Sequence, residues 1–232
     1  MHGVPKYEKN FSHLSYTNPN ANKGGKLKQC ATGTFDTLND NTIKGKPAQG
    51  LHLINDSLMR RVWDEPFSLY GLIAESVILP DDRSSITFNI NPSAVFHDGR
   101  KITSADIQFS FETLKEKGKP NTRKVYALVD KVTVLNDRSI RFDFNDNHDR
   151  ETALILAMMP IYSKDYWADK EFDATTLTIP LGSGPYKISS VDEGKTITYE
   201  KVADYWAKDM GINRGHYHFD HMVYDYYRDE QI

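Results

Sequence analysis

The sequence predicts an α+β fold, and three observations lead there. Strand-like and helix-like stretches follow one another in no strict β-α-β order, which argues against a doubly wound sheet. The densest local signal is a hairpin, in which alternating runs at 186–191 and 196–202 flank the turn Asp192-Glu193-Gly194-Lys195. The clearest helix, Ser104–Lys117, has Thr103 and Asp106 at capping-box spacing, a stripe of Ile107, Phe111 and Leu114, and Gly118 at its end. A chain of 232 residues is long enough to bury a sizeable core, as one large domain or two small ones.

In chain order, residues 1–25 carry turn formers at Asn18-Pro19 and Gly24-Gly25 and read as an extended arm. Small or apolar residues alternate with polar ones over 26–35, predicting a strand in which Cys30 is a buried free thiol. Phe35-Asp36-Thr37-Leu38-Asn39 forms the loop at its end, a place where ligands are often held. Gly and Pro punctuate 40–50 as a connection, and the spacing of Leu51, Ile54, Leu58 and Met59 predicts a helix broken at Asp64-Glu65-Pro66-Phe67. A short apolar group at 69–73 precedes strands at 77–79, 86–90 and 95–96, a meander with turns at 80–82 and 98–99. Beyond the capped helix, strands at 125–134 and 139–144 meet at Asn136-Asp137, and a helix over 151–159 stops at Pro160. Ser163 caps a short helix reaching Trp167. Gly182-Ser183-Gly184-Pro185 then turns sharply into the hairpin, Tyr205 and Trp206 close it on a packing surface, and a Tyr-rich strand at 222–227 comes last.

The formal net charge is −3 with Lys and Arg scattered along the chain, so no basic stripe marks nucleic acid as a partner. A lone cysteine excludes an internal disulfide and any C-x-x-C site. No run approaches the ~18 apolar residues of a membrane span, and the first residues, MHGVPKYEKN, lack the apolar stretch of a signal peptide.

The string His216-Tyr217-His218-Phe219-Asp220-His221 spells H-x-H-x-D-H, a dizinc pattern of the metallo-β-lactamase superfamily. Alternate histidines can chelate one metal while the Asp-His pair serves a second. Against it, few residues follow His221 to supply further ligands, and in an extended chain His221 turns away from His216 and His218. Gly182-Ser183-Gly184 lacks the flanks of a G-x-S-x-G elbow, and neither H-E-x-x-H nor a P-loop occurs. No catalytic residues, metal or cofactor are expected, and a zinc-dependent hydrolase on the histidine cluster stands as the alternative. For binding, Phe35, Asp36 and Thr37 offer an aromatic wall, a carboxylate for a ligand amine and a hydroxyl, while Phe67 and Tyr70 offer a stacking surface beside Glu65. Asp36 reads equally as an Asx-turn residue, and Phe67 with Tyr70, at helical spacing, as core.

Several strings taken together carry a family resemblance: TFDTLN at 34–39, GLIAESV at 71–77, FHDGRKITSADIQFSFETLK at 96–115, GSGPYKI at 182–188 and DYW at 204–206. In this order the chain resembles the substrate-binding proteins of peptide-type ABC importers, the class that includes dipeptide-, oligopeptide- and nickel-binding members. HGVPKYEKNFSHLSYTNPNANKGG and DEPFSLYGLIAESV resemble the Yej-type oligopeptide-binding branch, with Asn22 standing where that branch usually has Pro. The resemblance implies the N-terminal lobe of a type II periplasmic-binding-protein fold. It assigns 1–25 to an arm, 26–46 plus 180–232 to a main subdomain and 47–179 to an inserted smaller one, with the second lobe absent. It further implies a periplasmic protein whose partners are an oligopeptide or peptide-like ligand and a membrane permease. A lone lobe is expected to bind peptide weakly and to expose an apolar face through which copies self-associate.

Overall fold

The computed structural model describes residues 4–228. Strand β1 (Lys26–Thr32) is followed by a single 3-10 turn, Leu51–Leu53, and then by the hairpin of β2 (Met59–Val62) and β3 (Glu65–Gly71). β4 (Ala74–Ile78) and β5 (Ser85–Ile90) lead into the helices α1 (Ser104–Lys117) and α2 (Pro120–Tyr126). Next come β6 (Val129–Asn136), β7 (Ser139–Phe144) and two short helices, α3 (Thr152–Ala157) and α4 (Lys164–Trp167). The last described elements are β8 (Tyr186–Asp192), β9 (Thr196–Lys201) and β10 (His221–Tyr227). None of the described helices is long and apolar enough to cross a membrane.

The strands form a four-stranded sheet in the order β1-β10-β9-β8, the β2-β3 ribbon, and a second four-stranded sheet, β4-β5-β7-β6. The hairpin signal folds locally: β8 and β9 pair antiparallel from Tyr186↔Lys201 to Asp192↔Thr196 across the predicted turn. β10 runs antiparallel to β9 and parallel to β1, with Lys26 opposite His221 and Thr32 opposite Tyr227. The first and last of the described strands therefore lie side by side.

Each sheet has its own core. Helix α1 lays Ile107, Phe111 and Leu114 on the second sheet, where the Phe111 ring meets Phe142 edge-on at 5.2 Å and stacks on Tyr126 at 5.3 Å. Each such side chain contributes about 1.5–3 kcal/mol through burial. The start of α1 is fixed as its sequence predicts, with the Thr103 amide donating to Asp106 Oδ2 at 2.9 Å. The first sheet packs Tyr186, Ile188, Ile197 and Tyr199 against Phe35, Leu38, Leu51 and Ile54. A third cluster holds the N-terminal arm, in which Leu14 is buried with Val62, Tyr70, Leu72, Tyr205 and Ile212.

Four expectations are corrected. Residues 51–59 do not form a helix: the Ile54 carbonyl is taken by the amides of Ser183 and Gly184, both at 2.9 Å, and the Leu58 amide turns to Met159 O at 3.3 Å. The predicted strand at 125–134 is split, because Pro120 at the first turn of α2 starts a helix that runs to Tyr126 before β6 begins. Residues 95–96 contribute one isolated bridge, Val95↔Lys101, rather than a strand. Cys30 is exposed, because β1 lies at the sheet edge and most of its residues on both faces are open to solvent.

The loop before β8 is a close crossing. A Cβ on Gly182 would fall 2.0 Å from Ile54 O, and one on Gly184 would fall 2.5 Å from Leu53 O, so backbone meets backbone where only glycine fits. Ser183 between them is fully buried, and its Oγ accepts from the Asp56 amide at 3.1 Å. It holds a junction rather than presenting a nucleophile.

Candidate functional site

β1 and β10 form the one parallel pair among the described strands. In open α/β sheets ligands gather beyond the carboxyl ends of the parallel strands, where the chain leaves in loops, and the same end of this mixed sheet is the candidate here. Here those ends are Thr32 and Tyr227, and the amide of Gly33, in the left-handed region at φ 101°, still donates to Tyr227 O at 2.8 Å. The loop 33–50 departs from this point.

In that loop Phe35 is 1% exposed, with its ring 4.9 Å from Tyr226, so it acts as core beneath the loop rather than as an open wall. Asp36 is exposed, and its Oδ1 accepts from the Lys46 amide at 2.6 Å, closing the loop on itself. Thr37 is fully buried, its Oγ1 accepting from the Asn39 amide at 3.3 Å. Residues 175–179 lie alongside, joined by the Leu38 amide to Thr176 O at 2.9 Å. The two segments carry the exposed apolar residues Ile43 and Ile179.

The other three predicted residues lie in a different place. As a strand rather than a helix, β3 sends Phe67 and Tyr70 to opposite faces, so Phe67 is 76% exposed and Tyr70 is buried with the arm. Tyr70 meets Tyr7 and Phe11 edge-on, and burial together with its bond to Glu65 pushes its hydroxyl up to about 12. Glu65 accepts from the Ser68 hydroxyl at 2.6 Å, from Tyr70 and from the Lys6 amide at 3.2 Å, and these bonds hold it below its ordinary pKa. Its oxygens are committed to its own strand, through Ser68 and Tyr70, and to the arm, through Lys6. The six residues thus separate into two groups: Phe35, Asp36 and Thr37 in the loop at the sheet end, and Glu65, Phe67 and Tyr70 on β3, where Glu65 and Tyr70 bond the arm and Phe67 is exposed.

The histidine string does not close on a metal. Tyr217 sits at φ 56°, breaking the extended period on which alternate chelation depends. His218 Nε2 lies 2.8 Å from Gly215 O, the His216 ring packs edge-on to Tyr16, and Asp220 pairs with Lys201 at 3.3 Å. Among the described residues no three His, Cys, Asp or Glu side chains are grouped to hold an ion.

A buried polar network escaped the sequence reading. Tyr205 Oη donates to both Asp56 oxygens at 2.9 Å, and Trp206 Nε1 donates to Asp56 Oδ2 at 3.0 Å and to Ser183 O at 3.2 Å. Arg60 donates to Tyr217 Oη and Asn213 Oδ1, placing a cation near Asp56. Asp56, flanked by the polar Asn55 and Ser57, gave no local sign of this role. Tyr205 and Trp206 did, through their pairing after the hairpin.

The sequence profile of the bacterial extracellular solute-binding proteins, family 5, middle region, matches residues 68–232, and the chain belongs to this family. It is 42% identical over 236 residues to the peptidoglycan-binding protein YepA of Agrobacterium fabrum, covering 98% of this chain and 38% of that protein. It is 39% identical over 230 residues to YejA of Escherichia coli K12, covering 99% and 38%. Among solved structures it resembles the oligopeptide-binding protein AppA of Bacillus subtilis, seen with a nonapeptide, at a TM-score of 0.71 and 19% identity over 89% of this chain and 40% of that one. DppA of Helicobacter pylori, with the peptide STSA, gives a TM-score of 0.69 and 19% identity over 90% and 44%. The α+β architecture is that of one lobe of a type II periplasmic-binding-protein fold. The chain spans about two fifths of the length of these curated relatives.

Proposed function

We propose that this chain is the first lobe of an extracytoplasmic substrate-binding component of an ABC importer, working in the periplasm on oligopeptides or peptide-like compounds beside a membrane permease. The family match over residues 68–232 carries the reading. The ligand then lies across the carboxyl ends of β1 and β10, against the loop 33–46. Asp36 is the candidate partner for a ligand amine, with Phe35 and Thr37 setting the loop from below. Glu65 and Tyr70 anchor the arm, and exposed Phe67 is left for contact with a ligand or with the remainder of a longer protein. On this reading 26–46 and 180–232 belong to the main subdomain, 47–179 form the subdomain inserted in it, and the arm, described from residue 4, packs against both.

In a protein of the relatives' length the remaining residues would form a second lobe that closes over this face by hinge motion. One lobe supplies only part of the contact area, so the 232-residue chain is expected to bind short peptides weakly or undetectably in calorimetry. A nanomolar Kd would overturn this division of contacts. In a form extended to the relatives' length, failure to bind any peptide or peptide-like compound would remove the functional reading itself, whereas binding left unchanged by Asp36→Ala would remove only Asp36 from the site.

A further inference from the structure

Beneath the loop that follows β1 lies a small cavity of about 10 Å³, lined by Asn39, Asp40, Asn55, Tyr162, Trp167 and neighbouring apolar side chains. Three of its lining residues bring a buried polar atom with no hydrogen-bond partner: Asn55 Oδ1, Tyr162 Oη and Trp167 Nε1. Tyr162 and Trp167 are 4% and 8% exposed, so open solvent does not reach them. Unpaired polar atoms of this kind are rare in folded chains, and three around one cavity point to a shared occupant.

The chemistry of the three atoms narrows it. Trp167 Nε1 can only donate, Asn55 Oδ1 can only accept, and the Tyr162 hydroxyl does either. An ammonium donates only and a carboxylate accepts only, so neither satisfies all three. A group that both donates and accepts does, and the space corresponds to about one water-sized sphere. We propose that this cavity binds a single buried water that bridges Asn55, Tyr162 and Trp167, tying the 3-10 turn region to the segment that enters α4. The half-buried Asp40 carboxylate, raised above its ordinary pKa by burial, offers a further acceptor at the same cavity. Direct bonds flank the bridge: Asn39 Nδ2 donates to Phe172 O at 2.7 Å, and the Leu38 amide to Thr176 O. The water completes a seam that fixes the loop following β1, and the inference stands on the cavity whatever the lobe binds.

Two measurements on the 232-residue chain test it. A crystal structure at a resolution that shows ordered solvent should place one water within hydrogen-bond distance of Tyr162 Oη, Trp167 Nε1 and Asn55 Oδ1. Tyr162→Phe keeps the ring and deletes the hydroxyl. With the water present the variant loses a bond, and its Tm should fall by about 2–4 °C. In a dry cavity the same change removes an unpaired polar group, and the Tm should rise. A dry cavity in the crystal, or an unchanged or raised Tm, overturns the proposal.

Discussion

Asp56 is 4% exposed, yet it ends a network of donors from Tyr205 and Trp206 with the Arg60 guanidinium nearby. Burial raises its pKa from 3.8 to about 6, and the cation and the two donors hold back a larger rise. The folded chain therefore grips this proton more tightly than the unfolded chain does. The stabilisation is full below the unfolded value near 3.8 and is lost as pH climbs through about 6, a swing of about 3 kcal/mol. Asp56→Asn cannot ionise, so relative to the parent its Tm should improve between pH 4 and pH 7 and then level off. Thermal melts across that range measure the difference, and a gap that stays constant with pH would show that Asp56 carries no shifted proton.

Among the connecting elements, the crossing at 182–184 is set by distance rather than by dihedral strain. Gly182→Ala drives a Cβ into Ile54 O, a backbone atom that cannot swing aside, and should cost about 1–3 kcal/mol in denaturant unfolding. Gly99→Ala makes a control, since its cost comes only from φ +84° in open space. A Gly182 variant no worse than the Gly99 variant would mean that the crossing can relax. The same crossing explains what the sequence concealed. Leu51, Ile54, Leu58 and Met59 have helical spacing, but a helix needs the Ile54 carbonyl for residue 58, and residues well over a hundred positions away take it first. Local pattern sees spacing and does not see a distant competitor. Where the partners are local, as in the Thr103–Asp106 cap or the β8–β9 turn, the elements were legible. The candidate site divides along the same line. The loop after β1 could be located from its strand-end position, but whether Phe35 points outward depends on Tyr226, and whether Phe67 and Tyr70 share a face depends on helix against strand.

At the scale of the whole molecule, the sheet end bearing the 33–46 loop is open, with Ile43 71% and Ile179 45% exposed. Apolar surface of this kind on a face proposed to meet a second lobe favours association between copies. Sedimentation of the 232-residue chain should show the weight-average mass rising with concentration, and Ile43→Lys should suppress that rise. A strictly monomeric profile at high concentration would count against an apolar contact face.

The pairing of β1 with β10 also sets an order of events. Lys26 and His221 meet across roughly two hundred positions, so loop closure over most of the chain precedes this ladder. At 5–20 residues per second, on the order of ten to forty seconds of synthesis separate the two partners. Throughout that interval β1 has no strand to lie beside, while α1, the β6–β7 hairpin and the β8–β9 hairpin assemble from near neighbours. The face proposed to meet ligand is therefore the last part of the lobe to acquire its shape, and a chain interrupted before β10 would leave β1 unpaired.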